Sequence, residues 1–328
     1  VAGVEAAASA MAYRTVGSLI PAVVFVQLFV ATIILMLLDE LIDKGWGIGS
    51  GISLFIAAGV AQHVFWFCFS PLPVREGGGP LGVFPALVFY AMSGRDIWSI
   101  IVGTPGAPWM PTLTGFIAMV VMLVVIIYLE SMRVEVPIVY SKYGGFRAKT
   151  PLKLLYVSNI PVIFFGVVAA NISMLANLTQ NPFIMGMSHA FMAPHGLMGA
   201  VQNPLHALAY VLLICSVCAL LSLAWVEASG MSARAQAENI VRAGLQIPGF
   251  RSAPSIIEQY LARYIQTLTW VSGVIVALIA AFGDILGVLG GGIGILLLVG
   301  ILYQYYQVLA QERALEMYPM LRQFLGAE

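Results

Sequence analysis

Cys215 and Cys218 form the one C-x-x-C spacing in the chain, the arrangement that thiol–disulfide chemistry uses. They lie, however, inside YVLLICSVCALLSLAW, an unbroken apolar run, and read as small apolar residues of a lipid-spanning helix. With Cys68 they make three cysteines, all in apolar segments, which is no disulfide framework. His63, His189, His195 and His206 lack metal-ligand spacing, and neither a metal nor a cofactor is expected. No Ser-His, paired-Asp or HExxH arrangement appears, which weighs against an intramembrane protease or another enzyme. Ion-coupled carriers need carboxylates, His or Lys within the bilayer. Here Glu130, Glu227 and Asp284 fall near the ends of apolar runs, which disfavours a proton- or sodium-driven carrier, although backbone carbonyls also bind sodium.

What remains is physical rather than covalent chemistry. GIGSGISLFI (47–56) and GGGIGILLLV (290–299) each lead from a glycine cluster into bulky aliphatic residues. In SNIPVIF (158–164), Pro161 lacks the N–H of a helical hydrogen bond and is expected to bend its helix just after Ile160. Taken singly, each motif reads as tight helix packing through small residues. Taken together they allow another reading. Ile52 and Ile56 are four apart and share one helix face. If they meet Ile160 and Leu297 at a common axis, they make an apolar constriction that blocks ions by dewetting. The likeness of the two glycine clusters hints at two pseudo-symmetric halves.

Such side chains need long helices in lipid to hold them. Sixty per cent of the 328 residues are apolar and 9% are charged, with a mean hydropathy of +0.95. A soluble chain of this length cannot enclose that much apolar surface, so the protein is an integral membrane protein. Bilayer-length runs occur at about 15–38, 52–69, 112–129, 154–175, 205–226, 267–286 and 288–309. Helices are expected, because an isolated strand leaves backbone groups unpaired in lipid. The segments at 39–51, 130–153 and 227–266 and the tail after 310 hold 12 of the 15 Lys and Arg residues. That imbalance puts them, and the C-terminus, in the cytoplasm. Trp46, Trp66, Trp98, Trp109, Trp225 and Trp270 fall near span ends, as interfacial anchors do. Segment 70–111 reads as an irregular outer loop, and 176–204 as an outer loop near the membrane surface.

Three stretches, LLDELIDKGWGIGSGISLFIAAG, PLKLLYVSNIPVIFF and GLQIPGFR, together resemble the SecY family of protein-conducting channel subunits, in its archaeal form and its eukaryotic relatives. The likeness runs in order over essentially the whole chain. It implies an all-α polytopic membrane protein whose seven transmembrane helices resemble helices four to ten of a ten-helix fold. Residues 1–111 would close the N-terminal half with two helices and an external loop. Residues 112–328 would form the C-terminal half, with five helices and two cytoplasmic loops. Helices one to three, the plug and the facing wall of the lateral gate have no counterpart here. A ten-span chain cut short, or a separate chain supplying the rest, is therefore expected.

By motif position, the resemblance makes Ile52, Ile56, Ile160 and Leu297 pore-ring residues and places Asn159 near the lateral gate. It matches Lys142, Arg147, Lys149 and Arg251 to loops that meet the ribosome, whose RNA phosphate attracts exposed basic residues. These charges also set topology, and both readings stand. The implied partners are SecE-type and small third translocon subunits, the ribosome, signal sequences, nascent polypeptides and membrane lipid. The implied function is the central pore of the Sec translocon in the cell (plasma) membrane, multi-pass and not an enzyme. It would conduct secretory polypeptides and release membrane segments sideways. The alternative is a secondary transporter of a small solute, with glycine-broken helices around a midplane site and Gln27, Asn159 and Asn171 as its few polar candidates.

Overall fold

A computed structural model describes residues 20–45, 50–73, 79–94, 96–103, 110–140, 146–194, 196–242, 245–246 and 254–317. Seven of its helices are long and apolar enough to cross a membrane. In chain order the elements are α1 (Ile20–Gly45), α2 (Gly51–Phe69), α3 (Val83–Ser93), α4 (Trp98–Ile101), α5 (Leu113–Ser131), β1 (Arg133–Tyr140) and β2 (Phe146–Lys153). Then follow α6 (Ile160–Thr179), α7 (Pro182–Phe191), α8 (Gly196–Gln202), α9 (Pro204–Ala228), α10 (Ala233–Arg242), β3 (Leu245–Gln246), α11 (Pro254–Ile285) and α12 (Gly292–Met317). The chain divides into two compact units, one of Val1–Gly59 with Ile301–Glu328 and one of Val60–Gly300.

In the larger unit the core runs along α11. Its buried positions Ile257, Leu261, Ile265, Leu268, Ser272, Val276 and Ala280 recur every three or four residues, the stripe that faces one partner. Its main partner is α9, which buries Tyr210, Ile214, Cys218, Ser222 and Val226. Small residues let these backbones approach, since lipid gives helices no hydrophobic reason to associate. A Cβ at Gly273 would strike the Ser222 hydroxyl, which donates to the Cys218 carbonyl at 2.7 Å. Cys218 is therefore a fully enclosed packing residue, and Cys215 beside it is a free thiol on the same helix.

The loop expectations change. Segment 130–153 is an antiparallel hairpin of β1 and β2, extended by β3 in the order β2-β1-β3. The stretch RVEVPIVY is rich in β-branched residues, and strands are free to form where water surrounds them. Segment 227–266 holds α10 and the first turns of α11, which begins at Pro254 rather than near 267. Segment 176–204 is largely helical, carrying α7 and α8, whereas 70–111 carries only the shorter helices α3 and α4 among its described residues.

A second core joins these loops to the helices. It gathers Tyr156, Val157, Val226, Ala237, Ile257 and Leu261, with Val134 and Leu152 of the hairpin packed against it. Tyr156 donates its hydroxyl to the Met231 carbonyl at 2.6 Å. Burial pushes its phenol up to about 12, so it remains the protonated donor at ordinary pH.

In the smaller unit, α1 runs past the expected end at 38 through Asp39, Glu40, Asp43 and Lys44. The acidic corner is the last two turns of a helix, where Lys44 pairs with Glu40 at 2.6 Å and complements the C-terminal dipole. Most of the described apolar residues of α1 are exposed, Met36 and Leu41 among them, as in a helix facing lipid.

Candidate functional site

Ile52 lies in the first turn of α2, and the residues before it explain how it is held. The Asp39 carboxylate, at the end of α1, accepts from the Ile52 N–H at 2.9 Å and the Ser50 hydroxyl at 3.0 Å. It thereby satisfies an N–H that the helix start leaves without an intrahelical partner, and its charge suits the positive end of the dipole. The Tyr305 hydroxyl donates to the Ser50 carbonyl at 2.9 Å. At Gly51 a Cβ would stand 3.0 Å from both the Asp39 Cα and the Ile42 side chain, so the two helices meet where no side chain intervenes. Ile52 and Ile56 remain 51% and 38% exposed, one turn apart, and free to line a space. Asp39→Ala should cost about 1 kcal/mol, the usual worth of an N-cap. A lowered thermal midpoint of the detergent-solubilised complex checks this.

The α11–α12 turn repeats the device within the larger unit. The Asp284 carboxylate accepts from the Gly292 N–H at 2.8 Å and from the Tyr210 hydroxyl at 2.9 Å. Gly290 and Gly291, at φ of 89° and 75°, take left-handed conformations that cost a residue with a Cβ dearly. Five residues into α12 stands Leu297, half-buried between Leu296 and Leu298.

The expectation of a bend at Pro161 is corrected. Pro161 occupies the first turn of α6, where its missing N–H would have had no helical partner and its fixed φ suits the helix start. The segment 154–159 before it consists of turns and belongs to no span. Ile160 opens the helix, half-buried, while Pro161 and Val162 are enclosed. Asn159 just before it is buried and donates its Nδ2 to the Leu296 carbonyl at 3.1 Å.

The structure thus ties the backbone carrying Ile160 to that carrying Leu297, and sets Ile52 and Ile56 on one turn of α2. The matched basic residues divide. Arg147 and Lys149 lie in β2, in register with Val139 and Pro137 of β1. Lys142 and Arg251 fall outside the described residues. Reading the sequence missed the capping carboxylates and the platform of hairpin and α10. An Asp followed within about a dozen residues by clustered glycines and a new apolar run, present at both turns, was the available signal.

Chemically, the four candidate constriction positions, Ile52, Ile56, Ile160 and Leu297, are aliphatic and carry no titratable group. They can exclude water and ions and can yield sideways, but cannot transfer protons or attack a bond. Among the described residues no three His, Cys, Asp or Glu side chains gather to hold a metal ion.

Comparison with known proteins decides the family. The SecY family model matches residues 1–306. The chain belongs to the SecY family. It is 42% identical to the SecY protein translocase subunit of Saccharolobus solfataricus, covering 94% of this chain and 68% of that one. It is 39% identical to that of Sulfolobus acidocaldarius, over 94% of this chain and 69% of the relative. A SecY structure from work on how the plug domain stabilises the closed translocation channel superposes with a TM-score of 0.76. That structure is 31% identical and covers 97% of this chain and 73% of its own. Sec61 in a canine ribosome–channel complex from the endoplasmic reticulum gives 0.71 at 30% identity, over 97% and 72% of the two chains. The SecY fold accordingly accounts for the seven helices and for an all-α polytopic membrane protein.

Proposed function

We propose that this chain is the central pore-forming subunit of a protein-conducting translocon, passing secretory polypeptides across the membrane and releasing membrane segments into it. One observation carries the reading: the SecY family match extends over residues 1–306, nearly the whole chain. The protein is a channel and not an enzyme. The energy for passage comes from outside it.

The finer assignments rest on motif position. Ile52, Ile56, Ile160 and Leu297 contribute to the apolar constriction, and Asn159 stands beside the lateral gate. Residues 1–111 close the N-terminal half and 112–328 form the C-terminal half. The C-terminus faces the cytoplasm of a cell whose plasma membrane holds the channel, in accord with the Lys and Arg imbalance. The hairpin bearing Arg147 and Lys149, with the loops of Lys142 and Arg251, meets the ribosome. SecE-type and small third subunits brace the channel. Support for the ribosome comes from Sec61, a likeness solved in a ribosome–channel complex.

A carrier would need free polar groups at mid-membrane. Asn159 donates its Nδ2 to the Leu296 carbonyl and keeps a single unpaired oxygen among the described residues, and Asn171 donates to the Val167 carbonyl of its own helix at 2.8 Å. The test is capture of a polypeptide in transit. Single cysteines at positions 52, 56, 160 and 297 of the intact complex should crosslink to a cysteine in a stalled secretory chain. A cysteine at the exposed position of Met36 should not. Equal crosslinking at all five positions, or none, rejects the assignment.

A further inference from the structure

We propose that Asn159 is a positioning residue of the channel, whose side-chain amide locks the start of α6 to α12 and so fixes the spacing of Ile160 and Leu297 in the closed constriction. The inference rests on the reading of those two residues as part of the constriction, and adds the element that holds them.

Asparagine directly before a helix usually turns its side chain back to cap the exposed N–H groups of the first turn. Asn159 occupies that position on α6 and makes no such bond. It donates instead across 137 positions of sequence, to the Leu296 carbonyl of α12. The amide is deeply buried, 6% exposed, in surroundings where a hydrogen bond is strong and costly to lose. The backbone is shaped for this. Ser158 adopts a φ of 56°, a left-handed conformation uncommon for a residue with a Cβ, and so turns the chain immediately before Asn159.

The receiving helix is shaped to match. Leu296 and Gly300 are one turn apart, so the amide approaches α12 over position 300. A Cβ built on Gly300 would collide with the Asn159 Nδ2. Glycine at 300 is thus the condition for the bond, although glycine within a helix is otherwise unfavourable. The residues that follow the two bonded groups are Ile160 and Leu297. A hydrogen bond of 3.1 Å between their immediate neighbours restricts how far the two backbones can separate.

The clamp is only half satisfied. Asn159 Oδ1 is buried with no hydrogen-bond partner among the described residues. An amide with one orphaned acceptor is less firmly held than a fully paired one, which suits a lock that must release when a polypeptide parts the helices.

The experiment uses the intact channel complex reconstituted in lipid bilayers. It records resting ion conductance and the translocation of a precursor with a defective signal sequence. Gly300→Ala and Asn159→Ala should each raise both several-fold. The double variant should do no more than either alone, because the added methyl group then has no amide to displace. Asn159→Asp separates positioning from packing. Burial favours the protonated acid, so the ionised carboxylate, which cannot donate to the Leu296 carbonyl, forms as pH rises, and the channel should leak at alkaline pH. Acidification restores an O–H donor and should lower the leak, while wild type and Asn159→Ala stay level across the same range. Additive effects in the double variant, or a pH-independent Asn159→Asp leak, overturn the clamp. Unchanged conductance in these variants while Ile160→Asn and Leu297→Asn leak overturns the clamp and leaves the constriction standing. Unchanged conductance in Ile160→Asn and Leu297→Asn as well overturns the constriction itself.

Discussion

Asparagine in place of Ile52 or Ile160 in the intact channel should raise resting ion conductance about tenfold and relax discrimination against poor signal sequences. A buried isoleucine side chain favours apolar surroundings by roughly 1.5–3 kcal/mol. If water in the constriction experiences half of the upper value, about 1.5 kcal/mol, its occupancy rises by about a factor of ten, since ~1.4 kcal/mol is one decade. Ions follow the water, because dewetting is what excludes them. Ile52 is half exposed on α2 and Ile160 half-buried at the start of α6, so the substitution needs no unpaired amide deep in a core. Planar-bilayer conductance checks the first effect, and export of a reporter with a weakened signal checks the second. Conductance equal to wild type in both variants would exclude these residues from the seal.

Gly292→Val should destabilise the channel by at least about 3 kcal/mol, the upper part of the range for overpacked interiors. A Cβ at this position overlaps the Ala280 carbonyl oxygen and stands 2.9 Å from the Ala280 carbonyl carbon and 3.0 Å from the Asp284 nitrogen. These are backbone atoms of α11 and cannot swing aside as a side chain would. From the other side, a Cβ at Gly283 would lie 2.5 Å from the Gly292 Cα. The same residue gives its N–H to Asp284, so displacement also loosens the carboxylate from Tyr210. Gly294, two residues on, meets only Val60 methyl groups at 3.4 and 3.6 Å, and Gly294→Ala should be tolerated. Thermal unfolding of the purified complex compares the two. Equal midpoints would show that the glycines of this turn are not needed for close approach.

The two hairpins held by Asp39 and Asp284 show how far a pattern can be read without coordinates. The similarity of 47–56 to 290–299 is visible as letters, glycines followed by aliphatic residues. Its cause is not, because it lies in carboxylates that precede each glycine cluster and accept the first N–H groups of the next helix. Pro161 illustrates the same limit. A proline within an apolar run reads as a kink, yet here the run begins with turns and the helix starts at Ile160, where proline is at home. In the loops, hydropathy identifies what lies outside the lipid but not what folds there. The hairpin and α10 have to be seen packed on Tyr156 and Ile257 before they become a platform.

Residue order alone therefore determined the number of helices long and apolar enough to span a membrane, and the family. Hydropathy and charge act on each segment separately against a bilayer about 30 Å thick, and need no knowledge of neighbours. Tertiary structure decided which helices touch, why Gly292 and Gly300 must be glycine, and where the Asn159 amide is spent. Those outcomes depend on groups such as Asn159 and Leu296, 137 positions apart, which only the folded chain brings within hydrogen-bonding distance.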